Sequence, residues 1–364
     1  MKKIHKKILS PFAILSFVIF AFVGILYIIS KYSCSFADAL NSGLCREFRI
    51  MMAFVSNHFD FSFIEVLIIF LPLVFFFVIR RAINVFPDEY LRRRFLINFV
   101  AFILLIYSGH LLALGIAHNT TDIGKKMELS EAEVTEDGLY ETLNMLKCEV
   151  NALANSVPRD GDGIFDPGYS YKELSEKISA SYNGLTDLYD LPKGFKSRAK
   201  GVYFSNIMSY LAISGIYTYP TGEANVNTLY PSYVTIFTAA HEMSHQRGIL
   251  RENEANFIAF LITITSGDDN LRYSGMLNMY EYFASALYRT NKEAYYSINE
   301  ELSPLAKIDM NAAYAVSDKY GDTIIERISD RINDLYLKSS GSSDGIISYG
   351  RVVTLVLSYY QTRE

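Results

Sequence analysis

Cysteine is scarce in this 364-residue chain, with residues only at 34, 45 and 148. Three cysteines cannot make a disulfide framework. Cys34 and Cys45 are close enough in sequence to pair, which would leave Cys148 over, and three plain thiols is the simpler expectation. An excess of basic charge is also missing. Lys and Arg number 34 against 39 Asp and Glu, a net charge of -5, which argues against nucleic acid as a partner. Histidine is limited to His5, His58, His110, His118, His241 and His245, so a histidine-based metal site has few ligands to draw on. Apolar residues are what the chain has in plenty. Half of it is hydrophobic while 20% is charged, the mix expected of a membrane part joined to a soluble part. The length has room for about two domains.

Met1–Lys7 carries four lysines, and Ile8–Ser30 is then an uncharged apolar run, long enough for a bilayer that takes about 20 residues to cross. Ala37-Asp-Ala39 fits a signal-peptidase site, but the apolar core is too long and the site too distant, so an anchor is expected. Phe61–Ile79 and Leu96–Ala117 are the second and third apolar runs. Between them, Arg80, Arg81, Arg92, Arg93 and Arg94 mark a cytoplasmic connection. The N-terminus falls on the same side, with the Lys31–Asp60 connection and everything after Ala117 outside. The expected layout is a membrane domain over 1–117, seated in a lipid bilayer, and an extracytoplasmic domain over 118–364. His110, inside the third run, is expected as a neutral histidine bonded to a neighbouring span.

The chemistry concentrates in His241-Glu-Met-Ser-His245-Gln-Arg-Gly248-Ile-Leu-Arg-Glu252-Asn-Glu254-Ala-Asn256. Residues four apart share a helix face, so His241 and His245 can aim two imidazoles at one metal ion. Glu242 then sits beside that ion as a general base for water. Gly248 is a helix exit and must reverse the chain almost at once, because only six residues separate His245 from Glu252. A zinc ion with an open position needs a third protein ligand. Position 251, where a metzincin places its third histidine, is Arg251, which excludes that pattern. Glu252 and Glu254 are the available carboxylates.

Elsewhere in the external part, Leu129–Val157 and Tyr171–Leu188 read as helices, and Val202–Ile216 reads as one or two short strands. Asp160, Asp162 and Asp166 resemble a calcium loop with Pro158 in the first ligand position. A structured turn is preferred over bound Ca2+. Gly222–Asn227 is expected either as an edge strand, with Glu223, Asn225 and Asn227 contacting an extended peptide, or as a local turn. Glu254–Thr265, Leu271–Thr290, Asn291–Leu337 and Ile346–Tyr360 read as helices. Tyr273, Tyr280, Tyr282 and Tyr288 are candidates to stabilise an oxyanion. Arg351 is expected on the surface.

Glu252-Asn-Glu-Ala255-Asn256 resembles the E-x-x-A-D segment of gluzincin metallopeptidases. The resemblance implies Glu252 as the third zinc ligand, Glu254 as the fallback, and Asn256 as the group that supports a ligand histidine. The three apolar runs, Gly222–Asn227, His-Glu-Met-Ser-His-Gln-Arg-Gly and Arg-Glu-Asn-Glu-Ala-Asn-Phe-Ile-Ala-Phe together resemble a bacterial membrane protein family known only as a domain of unknown function and gluzincin-like by its motif. The implied fold is mainly α (α+β), with a three-helix transmembrane anchor and a zincin-like domain holding a small β-sheet. The implied function is a one-zinc metallopeptidase of the bacterial cytoplasmic membrane that cleaves peptide or protein substrates outside it. The alternative is a non-catalytic zinc-containing sensor or scaffold, against which the intact Glu242 counts. Intramembrane proteolysis is excluded by length, since the apolar residues before His241 are too few to span.

Overall fold

Three helices are long and apolar enough to cross a membrane, over Pro11–Ser30, Phe63–Val85 and Glu89–Asn119. The computed structural model describes residues 8–321 and 349–363. The lysine-rich start, residues 322–337 of the expected Asn291–Leu337 helix and the first residues of the expected Ile346–Tyr360 helix lie outside these. Helix α1 (Pro11–Ser30) begins at Ser10, whose hydroxyl caps the Ala13 N–H. It continues into α2 (Cys34–Ser42) and α3 (Leu44–Ser56), so the Lys31–Asp60 connection is itself folded. Helices α4 (Phe63–Val85) and α5 (Glu89–His110) form a hairpin around the arginine-rich turn. Helix α5 runs on through a π turn, Leu111–Gly115, and a 3-10 turn, Ile116–Asn119.

Helices α1 and α5 lie parallel and are tied at both ends. The Ser10 hydroxyl donates to Asn98 Oδ1 at one end, and Asn119 Nδ2 donates to the Ser30 hydroxyl at the other. Helix α4 stands more apart, with Val85 its one buried residue. This arrangement gathers the α2–α3 segment and the chain after Asn119 at one end of the three helices.

Beyond them the chain is mainly helical, with a small mixed sheet. After a short α6 (Ile123–Lys126) come α7 (Glu136–Ala154) and α8 (Tyr171–Leu188). Thr135 caps α7, which therefore starts later than the apolar pattern from Leu129 implies, and Ser170 caps α8. Strand β1 (Ala199–Val202) leads into α9 (Ser205–Tyr210), then β2 (Gly215–Thr218) and β3 (Glu223–Asn227). The expected strand over Val202–Ile216 is thus broken by a helical turn. Helices α10 (Ser232–Gln246), α11 (Glu252–Ile264), α12 (Asp269–Thr290), α13 (Lys292–Glu300), α14 (Pro304–Tyr320) and α15 (Tyr349–Gln361) complete the described fold. Helix α11 is apolar on all sides from Phe257 to Ile262, and that stretch is fully buried, as an all-round hydrophobic segment must be. Helices α7, α8, α10, α12 and α15 supply the core around it.

The sheet order is β1-β3-β2, with β1 parallel and β2 antiparallel to β3. Gly222–Asn227 therefore supplies the central strand, and the edge on the other side of β3 from β1 is β2. All five residues of β3 are buried.

Candidate metal centre

The local sequence explains the turn that builds the site. Helix α10 stops at Gln246, and Gly248 adopts φ +93°, a conformation that favours glycine. The Gly248 N–H donates to His245 O and the Ile249 N–H to Ser244 O, which closes the helix end in the manner of a glycine C-cap. The chain re-enters a helix at Glu252 and lays α11 back against α10. The short gap thus places Glu252 over the two histidines.

His241, His245 and Glu252 form the one group among the described residues that brings three potential metal ligands together, with ligand atoms within 4.8 Å of one another. His241 Nε2 lies 3.2 Å from Glu252 Oε2, and His245 Nε2 lies 3.4 Å from Glu252 Oε1. Ligands at about 2.0–2.1 Å from a tetrahedral zinc stand about 3.3 Å apart, so these separations suit such an ion. His245 Nδ1 is 2.8 Å from the Ile249 carbonyl, an orientation that leaves Nε2 to face Glu252. The donor set, two imidazoles and a carboxylate, suits zinc among the metals that take nitrogen and oxygen ligands.

Charge follows the same geometry. Burial alone would lower the His245 pKa, but the Glu252 carboxylate outweighs it and pushes the histidine up to about 9. Burial works against the Glu252 charge, yet His245 and His241 hold its carboxyl well below the usual range. The cluster is thus organised to hold positive charge beside Glu252. Glu242, 5% exposed, sits next to it. Burial pushes its carboxyl up, partly opposed by His241 and His245, and it accepts the Tyr217 main-chain N–H from β2. Gly215 makes this approach of strand to helix feasible: a Cβ there would fall 2.7 Å from Glu242 Oε1.

The centre opens into a cavity of about 730 Å³, whose walls include β2, the Leu211–Ser214 approach to it, His118, Asn256, Asn278 and Tyr282. Of the four candidate tyrosines, Tyr282 is the one in this wall. Tyr273 and Tyr280 are buried, and their hydroxyls donate to Asp309 and Asn299. Tyr288 packs on Tyr295 and Tyr296. Tyr217 and His118, neither of which spacing singled out, also line the cavity, and His118 Nε2 is buried with no hydrogen-bond partner among the described residues. His110 stacks on Tyr107 of its own helix and meets Tyr219, in the hairpin between β2 and β3, edge-on at 5.8 Å.

Other expected site residues are placed elsewhere. Glu254 Oε1 accepts from Arg251 Nη1 at 2.7 Å and from the Ile123 N–H at 3.0 Å, so the fallback ligand faces away from the histidines. Asn256 lines the cavity, but His241 Nδ1 has no hydrogen-bond partner among the described residues. The orienting contact on the other histidine comes from a backbone carbonyl instead. Glu223, Asn225 and Asn227 sit on the central strand with exposures of 1%, 0% and 0%. Glu223 accepts from Lys200 Nζ and from the Phe63 and Ile64 N–H groups, and so caps α4. Asn225 Nδ2 donates to Thr218 Oγ1, and Asn227 Nδ2 to the Ser209 hydroxyl and Ile213 O. Their side chains are committed to the fold because β3 lies between two strands. At the Asp-rich loop, Asp160 Oδ1 accepts the Asp162 and Ile164 N–H groups and Asp166 Oδ1 accepts that of Gly168, a structured turn. Cys34, Cys45 and Cys148 are free thiols.

Residues 41–357 match the family model described as a protein of unknown function, DUF3810. The chain belongs to that family. Neither a curated protein nor a solved structure matches it. The DUF3810 match takes in the α4–α5 hairpin, the metal centre and most of α15.

Proposed function

We propose that this DUF3810 chain is a membrane-anchored, zinc-dependent metallopeptidase of gluzincin type. It hydrolyses peptide bonds outside the bacterial cytoplasmic membrane, with its N-terminus inside and the metal centre outside. The observation that carries this reading is the meeting of His241, His245 and Glu252 with Glu242 beside them, all open to one cavity. A zinc ion held there supplies Lewis acidity and a water acidified toward a pKa of about 7. Glu242 accepts the proton, held in line by the Tyr217 N–H. Its buried carboxyl is poised upward, as a base working near neutral pH requires. Strand β2 is the edge beside the cavity, and an extended peptide can pair with such an edge. Tyr282 and His118 line the cavity and are our candidates to meet the developing negative charge.

The test uses the full chain in detergent, loaded with zinc and given unfolded protein substrates. Glu242→Gln should keep wild-type zinc content and lose roughly 10²–10⁴-fold in hydrolysis, the scale of a general base. His245→Ala should lose both. Wild-type protein that binds zinc but cleaves nothing in a Glu242-dependent way would leave the ion to a sensor or scaffold and sink the peptidase reading.

A further inference from the structure

The cavity is built partly from the membrane helices. Ile64, one residue into α4 from its start, and His110 and Leu114 on the third apolar helix share its wall with the metal ligands. From His110 to His118 the chain climbs about 12 Å at the helical rise of about 1.5 Å per residue. The cavity thus reaches from the end of the apolar helices to the metal centre.

Five hydrogen bonds at three points fix the soluble part at this level. The Tyr219 hydroxyl, in the hairpin between β2 and β3, donates to Ile106 O of α5 at 3.1 Å. Glu223 caps the first turn of α4. Glu65, on that same turn, accepts the Tyr203 and Phe204 N–H groups at 3.0 and 2.8 Å. The last contact places an apolar projection beside the top of α4. Tyr203 is 86% exposed, Phe204 43% and Ile207 58%. Aromatic and apolar side chains held where a span leaves the bilayer are the usual interfacial anchors, and such exposure in water would be costly for so contiguous a patch.

We infer that the Tyr203–Ile207 projection is seated in the bilayer interface beside α4, and that the cavity takes the stretch of a bilayer-anchored polypeptide just outside the membrane. This rests on the peptidase reading above and on the three apolar helices lying in a bilayer. A chain emerging between α4 and α5 meets Ile64 and His110 first, then β2, then the metal centre. Extended polypeptide covers at most about 3.3–3.6 Å per residue, so the bond presented to Glu242 lies only a few residues from the anchor.

The chain contains no tryptophan but 27 tyrosines, so Ile207→Trp supplies its single indole, excited at the red edge where tyrosine does not absorb. In liposomes of lipids brominated near the glycerol end of the acyl chain, its emission should be strongly quenched, and that of Tyr296→Trp on α13 unquenched. Equal quenching of the two, or none at position 207, overturns the seating. For the substrate, zinc-loaded full chain in nanodiscs is given a transmembrane helix followed by two copies of one mixed-sequence segment, the first adjoining the helix and the second beyond a long Gly/Ser spacer. The adjoining copy should be cut more than about 100-fold faster, since the three-halves-power fall of effective concentration gives only about 30-fold for a tether about ten times longer. Equal cutting overturns the juxtamembrane assignment and leaves the peptidase reading standing. No cutting of either copy, nor of unfolded soluble protein, removes both. Ile207→Ser should lower cutting of the adjoining copy and leave hydrolysis of soluble protein unchanged, while an equal drop in both counts against the seating.

Discussion

The α10–α11 turn buries polar groups on both of its faces, and the two faces are built differently. Toward the cavity, His241, His245 and Glu252 turn their ligand atoms on one another, and among the described residues Glu252 has no partner but the two histidines. Behind the turn, the fold supplies a partner for most groups. Asn41 Nδ2 donates to Gly248 O, Arg49 Nη2 to Asn41 O, and Arg247 to Met243 O and the Ser179 hydroxyl. Arg247 also lies 4.6 Å over the Tyr182 ring. Neither guanidinium has a carboxylate partner among the described residues, and burial lowers both, Arg247 to about 10. Buried polar groups served by backbone carbonyls hold a shape. Ligand atoms that face only each other and open to a cavity can hold a cation. The back face also shows what the α2–α3 segment does, since it braces the turn that carries the metal ligands.

The sharpest way to break this distinction is to exchange carboxylates two residues apart. Glu252→Gln should weaken zinc binding by more than the roughly 10–100-fold typical of losing a ligand's support. Glu254→Gln should leave zinc affinity within a few-fold, because the amide oxygen still accepts the Ile123 N–H and the side chain points away from the histidines. Competition with a zinc chelator on the purified chain reads both. A larger loss at position 254 would reverse the assignment of the two faces.

Next in size is a change that should reach the base without touching a ligand. A Cβ at position 215 would fall 2.4 Å from Thr238 Cγ2 and 2.7 Å from Glu242 Oε1, so Gly215→Ala must displace β2 or the carboxylate. Hydrolysis should fall by about 100-fold, the scale of a 1 Å misplacement, with zinc content unchanged. Full activity would mean that Glu242 does not need its present position.

The back face should respond in stability. Gly248→Ala puts a side chain at φ +93° and a Cβ 2.5 Å from Arg49 Nη2 and Asn41 Oδ1. Strain of this kind costs about 1–3 kcal/mol, so the thermal midpoint should drop by several degrees. Gly267→Ala, where a Cβ meets nothing within 4 Å, is the control.

How far these faces could be read in advance follows from the range of the contacts. The cavity face is local: H-E-x-x-H on one helix, a glycine exit and a carboxylate on the next turn of chain bring their own geometry. The three long apolar helices were equally plain from run length. The sheet was not, because strands of four or five residues carry little periodicity and the carboxylate of Glu223 finds its partners 160 and 159 positions away in α4. Its acidity looked like a substrate contact when it was a helix cap. The bracing by Asn41 and Arg49 was hidden for the same reason, being 207 and 198 positions from Gly248 and Arg247. Choosing Tyr282 among four tyrosines needed the packing of α12 against α10.

The smallest effect concerns Glu281, a half-buried carboxyl whose charge is set by burial and two hydroxyls rather than by histidine or arginine. Glu281 accepts from the Tyr233 hydroxyl at 3.2 Å and from Tyr314. Burial pushes its carboxyl up to about 7, while the two hydroxyl bonds pull it down. A carboxyl whose pKa is higher folded than unfolded binds its proton more tightly in the native state. Its contribution is therefore fully present below the unfolded value of about 4.3 and is lost as pH rises through about 7. The thermal midpoint of the full chain should fall by a few degrees over that interval, on top of whatever other groups contribute. Glu281→Gln cannot lose a proton, so its midpoint should fall less, and the two curves should separate toward pH 8 with the variant the more stable. Parallel curves would show that Glu281 is ionised throughout, its charge stabilised by neutral hydroxyls as well as Glu252 is by histidines, and the contrast between the two faces of the turn would lose its physical basis.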